Sequence, residues 1–392
     1  KSYLENYGGD TRNALRGREA FVRVTWEEAL SLAADAILNT VEKYGNEALV
    51  SSSYGGWSHA GLLRPNVLQG RLFGLLGGHS ATNGNYSMAA SGASLPHVIG
   101  GLGLLGPQTA WPVVAKHTEL MVLVGSDPWN NSRIEYRVPD HQMYPAFEAI
   151  KKAGVRFISI NPQRTATDQA MDAEWVRIVP NTDTALFLAM SHHVVTNGLH
   201  DRAYIDKYTV GFDQFEAYLL GKDADGTPPK TPAWAANITG IPAEKIIELA
   251  ELFAVKRTQL AGGWSLQRAD HGEMTHWVMI NFAAILGSIG KPGEGVGFSW
   301  HYGGGGLPQS GKAMPVGLSQ GRNPVKTRCP ASRISEMLLN PGKSYTRNGK
   351  AYVYPDARLI YNSGNNFISH QQNTNELLGA MNDRIETVIC QD

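Results

Sequence analysis

The sequence predicts an α/β fold with two doubly wound, mainly parallel-sheet domains, and three observations predict it. Five short apolar, β-prone runs break off into Gly, Ser, Asn, Asp or Arg: ALVSSSYGGW (48–57), LMVLVGSDPWNN (120–131), VRFISINPQRT (155–165), TQLAGGWSLQR (258–268) and ARLIYNSGNN (357–366). Helix-period segments alternate with these runs, which makes the sheets parallel. At 392 residues the chain is long enough for two or more hydrophobic cores.

Taken in order, the first helix is WEEALSLAADAILNTVEKY (26–44), with Thr25 as N-cap and Glu28 three residues on, a capping box. YPAFEAIKKAG (144–154), TALFLAMSHHVVTNG (184–198) and HGEMTHWVMINFAAILGSIG (271–290) continue the helical pattern. GKDADGTPPKTPAW (221–234) and GGGGLPQSGKAMPVGLSQGRNPVKTR (303–328) lack periodicity and read as surface loops, the second equally as a flap beside a site. In parallel sheets ligands gather at the carboxyl ends of the strands. Five polar strand ends exceed what one mononucleotide needs, and they point to a large ligand with more than one phosphate-bearing arm.

Several chemistries are excluded. Lys+Arg and Asp+Glu both number 35, so no net charge draws the chain to nucleic acid or an anionic membrane. No apolar run is long enough to span a bilayer. Cys329 and Cys390 are too few to hold an iron–sulfur cluster. GLGLLG (101–106) matches a dinucleotide fingerprint, but no strand precedes it and Pro107 follows, so it reads as a flexible connection. His271 and His276 are five apart, not the four that would share a helix face, and read as structural or pocket-lining. The stretch NGNYSMAASG (83–92) sets Ser87 in a sterically open turn. A nucleophile, a helix N-cap and a metal ligand all fit it, and composition alone favours the cap.

In order along the chain stand SYGGW (53–57), NYSMAAS (85–91), PQTAWP (107–112), INPQRT (160–165), NTDTALFLA (181–189), GGWSLQRADHGE (262–273), GKPGEGVGFSWHYGGGG (290–306) and SGNNFISHQQ (363–372). Together they resemble the dimethyl sulfoxide reductase family of molybdenum enzymes, in its branch of soluble N-oxide and S-oxide reductases. The resemblance spans essentially the whole chain. Members of that family are much longer, and this chain stops straight after the strand-like TVIC, so it is expected to be a central fragment of a larger multi-domain enzyme. The resemblance makes residues 1–120 the α/β part of a cofactor-binding domain that carries the metal ligand. Residues 121–320 become a dinucleotide-binding α/β domain, and 321–392 a return to the first.

The resemblance implies a bis(molybdopterin guanine dinucleotide) molybdenum cofactor, with no iron–sulfur cluster in this chain. Two dinucleotide arms would account for the many polar strand ends. Ser87 would be the protein ligand to molybdenum, a hard acid that suits an alkoxide oxygen. Tyr54 and Trp57 would donate hydrogen bonds to the reacting oxygen, and Arg268 would line the substrate funnel. Gly55, Gly56, Ser58, Asn130, Asn131, Asn161, Arg164, Asn181, Thr182, Asp183, Trp264, Ser265, Asn365 and Ser369 match cofactor-binding positions. Asp183 suits a guanine edge, which offers two donors. The sequence departs from relatives at Asn85, often aspartate, at Asn130, lysine in several members, and at Ser369, often histidine. SYGGW also carries an extra glycine.

The implied reaction is reductive oxygen-atom transfer from trimethylamine N-oxide, dimethyl sulfoxide, or methionine or biotin sulfoxide. Two electrons and two protons release water, and Tyr54 tilts the choice toward an S-oxide. A c-type cytochrome or another donor would supply electrons, and the remaining portion of the enzyme could be another chain. The expected compartment is the periplasm, with the cytoplasm as the alternative. The rival readings are a dehydrogenase on the same scaffold and a non-catalytic cofactor-binding fragment that needs a partner chain.

Overall fold

A computed structural model describes residues 2–5, 16–53, 65–132, 142–300, 306, 318–364 and 368–391. The chain divides into two compact units, residues 1–86 with 312–392, and residues 87–311. In chain order the strands are β1 (Leu49–Ser53), β2 (Ser80–Asn83), β3 (Leu120–Val124), β4 (Arg156–Asn161), β5 (Glu174–Arg177) and β6 (Thr258–Gly262). They continue with β7 (Gly295–Gly297), β8 (Arg328–Pro330), β9 (Ser344–Arg347), β10 (Lys350–Val353), β11 (Leu359–Ser363) and β12 (Thr387–Gln391).

In the unit of residues 87–311 the sheet order is β5-β4-β3-β6-β7, every pair parallel. All five residues of β3 are buried, as a parallel sheet covered on both faces requires. The period of two then sorts its side chains. Leu120, Val122 and Val124 join Ile158, Ile160 and Leu260 in one core with residues of the helices Asp183–Thr196, Ala243–Val255 and Glu273–Ile285. Met121 and Leu123 join Phe157 and Ala261 in another, with residues of Trp111–His117 and Met143–Lys152. Helices therefore cover both faces. The chain runs outward from β3 through β4 to β5, then crosses back to β6 on the other side. The topological switch point lies between β3 and β6.

The other unit repeats this plan. Its sheet order is β12-β11-β1-β2-β8, again all parallel. Val50 and Ile360 pack toward the helices Ile334–Leu339 and Thr374–Arg384. Leu49, Leu359 and Tyr361 pack against Ala36, Ile37 and Phe73 on the opposite face. The switch point here lies between β1 and β11. An antiparallel hairpin, β9–β10, turns at Asn348-Gly349, both at positive φ (48° and 72°), the conformation a two-residue hairpin loop demands.

The five apolar runs are β1, β3, β4, β6 and β11, and Thr25 does cap the first helix, accepting from Glu28 N at 3.2 Å. Two expectations change. Residues 101–106 are not a loose connection: Gly103–Leu105 form a helical turn, and Leu104 O accepts from Phe298 N at 3.0 Å. The 221–234 loop is not wholly surface. Lys230 is buried, its Nζ donating to Thr227 Oγ1 and Pro228 O while lying over the Tyr218 ring. Among the described residues no helix is long and apolar enough to cross a membrane.

Candidate functional site

At the switch point between β3 and β6 two loops leave the sheet side by side. Gly125 follows β3 at φ 54°, and its N–H donates to Ile160 O at 3.0 Å. Gly263 follows β6 and donates to Val124 O at 2.8 Å. The backbones come so close that a Cβ at Gly263 would collide with the Gly125 carbonyl oxygen. Ser265 Oγ donates to that same oxygen at 2.6 Å. The neighbouring strand is stitched in as well: Asp127 Oδ1 accepts from both Thr167 N (3.0 Å) and Thr167 Oγ1 (2.6 Å), after β4.

Around this crossing lie several of the sequence-predicted residues. Asn130 and Asn131 end a short helical turn, Pro128–Asn131, and are exposed. Asn161, at the end of β4, is buried and donates to Ser159 Oγ at 2.8 Å. Arg164 is exposed on the loop that follows. Trp264 is buried in the core, its indole N–H donating to Ser299 Oγ at 3.0 Å, whereas Ser265 and Arg268 face solvent. Ser126, beside Gly125, is buried, and its hydroxyl has no hydrogen-bond partner among the described residues.

The loop after β5 carries Asn181, Thr182 and Asp183 into the helix Asp183–Thr196. Asn181 sits at φ 63°, Thr182 Oγ1 donates to Val179 O at 2.6 Å, and Asp183 opens the helix. A helix N-terminus should hold a carboxyl pKa down. Burial wins instead: Asp183 is 6% exposed, and desolvation pushes its pKa up to about 6 against the hold of its own backbone N–H.

Ser87 lies in the turn between β2 and the helix Ala89–Ile99. It is not that helix's N-cap: Met88 holds the position and has no side chain able to cap. The amide of Ala90 is met instead by Gln267 Oε1 at 2.9 Å, and Gln267 Nε2 donates to Ser87 O and to Trp264 O, each at 3.2 Å. One buried glutamine thus ties the Ser87 turn to the loop after β6. A second tie runs through His276, whose Nε2 lies 3.1 Å from Gly263 O and whose Nδ1 meets Ser91 Oγ. A carbonyl only accepts, so Nε2 carries the proton and Nδ1 accepts from Ser91. The ring stacks on Phe298 at 3.9 Å between centroids, and burial lowers its pKa to about 4. Neither Gln267 nor the His276–Ser91 pair is singled out by sequence pattern.

In the other unit, the chain leaves β1 into Tyr54, Gly55, Gly56, Trp57 and Ser58, and leaves β11 toward Asn365. All six lie outside the described residues. In sequence, both segments follow the two strands of that unit's switch point. Ser369 is exposed in the turn 368–370. Tyr86 Oη reaches Gln372 Oε1 at 2.8 Å.

The donor set bears on what these loops can hold. Among the described residues no three His, Cys, Asp or Glu side chains cluster to cage a metal. Amides, hydroxyls and glycine-lined backbone dominate, with Ser126 and Ser363 buried and their hydroxyls without a partner among the described residues, and with Asp183 a buried carboxyl. That chemistry fits an organic group that brings its own metal ligands better than a metal ion caged by the chain alone.

The molybdopterin oxidoreductase family model matches residues 11–392. The chain is 42% identical over 402 residues to a dimethyl sulfoxide/trimethylamine N-oxide reductase of Cereibacter sphaeroides, covering all of this chain (100%) and 48% of the relative. It is 38% identical over 391 residues to a trimethylamine-N-oxide reductase of Haemophilus influenzae, covering 97% and 47%. The chain spans about half the length of the curated relatives it matches. Among solved structures, acetylene hydratase from Pelobacter acetylenicus superposes with TM-score 0.59 at 18% identity, over 98% of this chain and 51% of that one. This last likeness concerns the fold alone.

Proposed function

This chain belongs to the molybdopterin oxidoreductase family, and from that premise we propose that it is the central part of a molybdenum-dependent reductase of N-oxides or S-oxides. When bound, a bis(molybdopterin guanine dinucleotide) molybdenum group would supply two-electron oxygen-atom transfer. The protein's share is ligation, hydrogen bonding and access. Ser87 would hold the molybdenum through its side-chain oxygen. Tyr54 and Trp57 donate O–H and N–H toward the substrate oxygen, polarising it without introducing a charge. Arg268 lines the approach. Asp183, ionised at neutral pH with a pKa of about 6, accepts from the two donors of a guanine edge. Asn161, Arg164 and Ser265, with the Asn130–Asn131 turn, hold pterin and phosphate groups. We place the protein in the periplasm, reduced by a c-type cytochrome.

The observation that carries this reading is the shared amide of Gln267, which bonds the Ser87 turn and the Trp264 loop together. The turn proposed to carry the ligand and the loop proposed to line the pocket are thereby tied together. The test is made on the full-length protein: molybdenum content, GMP released by acid, and turnover of dimethyl sulfoxide, trimethylamine N-oxide and methionine sulfoxide with a reduced viologen. About one molybdenum and two GMP per chain with oxide reduction support the proposal. Protein without molybdenum, or loaded protein that reduces none of the three, overturns it. Replacing Tyr54 by Phe should shift preference away from S-oxides, and an unchanged ratio of rates removes Tyr54 from selectivity.

A further inference from the structure

We infer that Gln267 and His276 are positioning residues for Ser87, fixing its turn to the switch-point loop at two points. The inference rests on the reading of Ser87 as a metal ligand, and deepens it. An α-helix ordinarily meets its first free N–H groups with its own N-cap side chain. Here Met88 cannot do so, and the amide of Ala90 is met from 177 residues away by Gln267. Gln267 uses both ends of its amide, accepting from Ala90 and donating to Ser87 O and Trp264 O. Glutamate, acceptor-only when ionised, cannot make the second set. At the next residue, Ser91 donates to His276 Nδ1 while Nε2–H donates to Gly263 O. Gly263 is the residue pressed against Gly125, where a Cβ would collide with the Gly125 carbonyl oxygen.

The Ser87 turn is therefore keyed to a backbone crossing too tight to admit a Cβ. An ordinary cap would stabilise the helix equally well but leave its start free to shift with the chain before it. The remote cap and the histidine bridge remove that freedom, so the serine oxygen is held at a set distance from the Trp264–Arg268 loop whether or not a metal is present.

The experiment uses full-length protein, wild type and the Gln267→Leu and Gln267→Glu variants, in metal-free and molybdenum-loaded form. Hydrogen exchange in the metal-free protein should accelerate roughly tenfold or more across residues 87–91 in Gln267→Leu, while β3 and β6 amides hold their protection. In Gln267→Glu the Ala90 amide should remain protected more than in Gln267→Leu, because its acceptor persists. In the loaded protein the Mo(V) resonance should shift, and kcat should fall more than KM changes. Unchanged exchange at 87–91 with an unchanged resonance overturns the inference. If Gln267→Leu does not fold, Ser91→Ala tests the histidine tie by the same readouts. The two readings fail separately: a wild-type protein without a serine–molybdenum bond sinks the ligand assignment, while the metal-free exchange still decides whether Gln267 holds the turn.

Discussion

Two buried ionisable groups of the same unit, His276 and Asp183, are treated in opposite ways. Both ring nitrogens of His276 are matched within the chain, its face is stacked, and burial drives its pKa down to about 4. Asp183 is nearly as buried, yet only its own backbone N–H works against the desolvation that takes its pKa up to about 6. A fold that needed a carboxylate there would supply donors to satisfy it. The histidine belongs to the architecture. The aspartate is matched only by its own backbone N–H, and Ser126 is likewise buried with a hydroxyl that has no partner among the described residues.

The largest test of this division is Gly263→Ala. Forcing a Cβ against the Gly125 carbonyl should push the loop after β3 away from the loop after β6, on which His276 and Gln267 both anchor, lowering unfolding stability by at least about 3 kcal/mol in denaturant titration. A mild effect would mean that the crossing is not the rigid point it is taken to be. His276→Leu comes next, at about 3 kcal/mol, because it strands the Ser91 hydroxyl in a dry core and leaves the Gly263 carbonyl with only the long bond from Leu266 N (3.4 Å).

Asp183→Asn should act in the other direction. The raised pKa means that the folded chain keeps a proton that the unfolded chain has lost, so this group's stabilisation is complete below about pH 4 and disappears as pH rises through about 6. At pH 8 the neutral variant should be more stable than the wild type without cofactor by about 2 kcal/mol, while retaining less guanine nucleotide. The His276 effect has the opposite sign. Its depressed pKa gives stability that is present above about 6.5 and lost as pH falls toward about 4. The two slopes oppose each other in the wild type between about pH 4 and 6, so stability should rise more steeply with pH in the asparagine variant than in the wild type. Equal slopes in both proteins would contradict the pairing. The smallest effect is expected from Ser126→Ala, neutral or stabilising by up to about 0.5 kcal/mol without cofactor, and costing cofactor retention.

Legibility in the sequence followed the same divide. Strands with buried side chains on both faces announce themselves as unbroken apolar runs, and β1, β3, β4, β6 and β11 were readable on that ground. The glycine strand β7 has no side-chain pattern, and β5 is too short for one. The β9–β10 hairpin did leave a signal, Asn348-Gly349, in a stretch where nothing else suggested strands. At the site, the motif resemblance made Ser87 a metal ligand, whereas composition favoured a helix cap, which the structure does not bear out. The cap is Gln267, a neutral amide whose part depends on a residue 177 positions earlier, and no local pattern encodes that.

The account stands most directly on molybdenum K-edge x-ray absorption of the full-length oxidised protein and its Ser87→Cys variant. It predicts a protein-derived Mo–O scatterer in the wild type that is replaced by an additional Mo–S scatterer in the variant. Identical spectra from the two loaded proteins would contradict it.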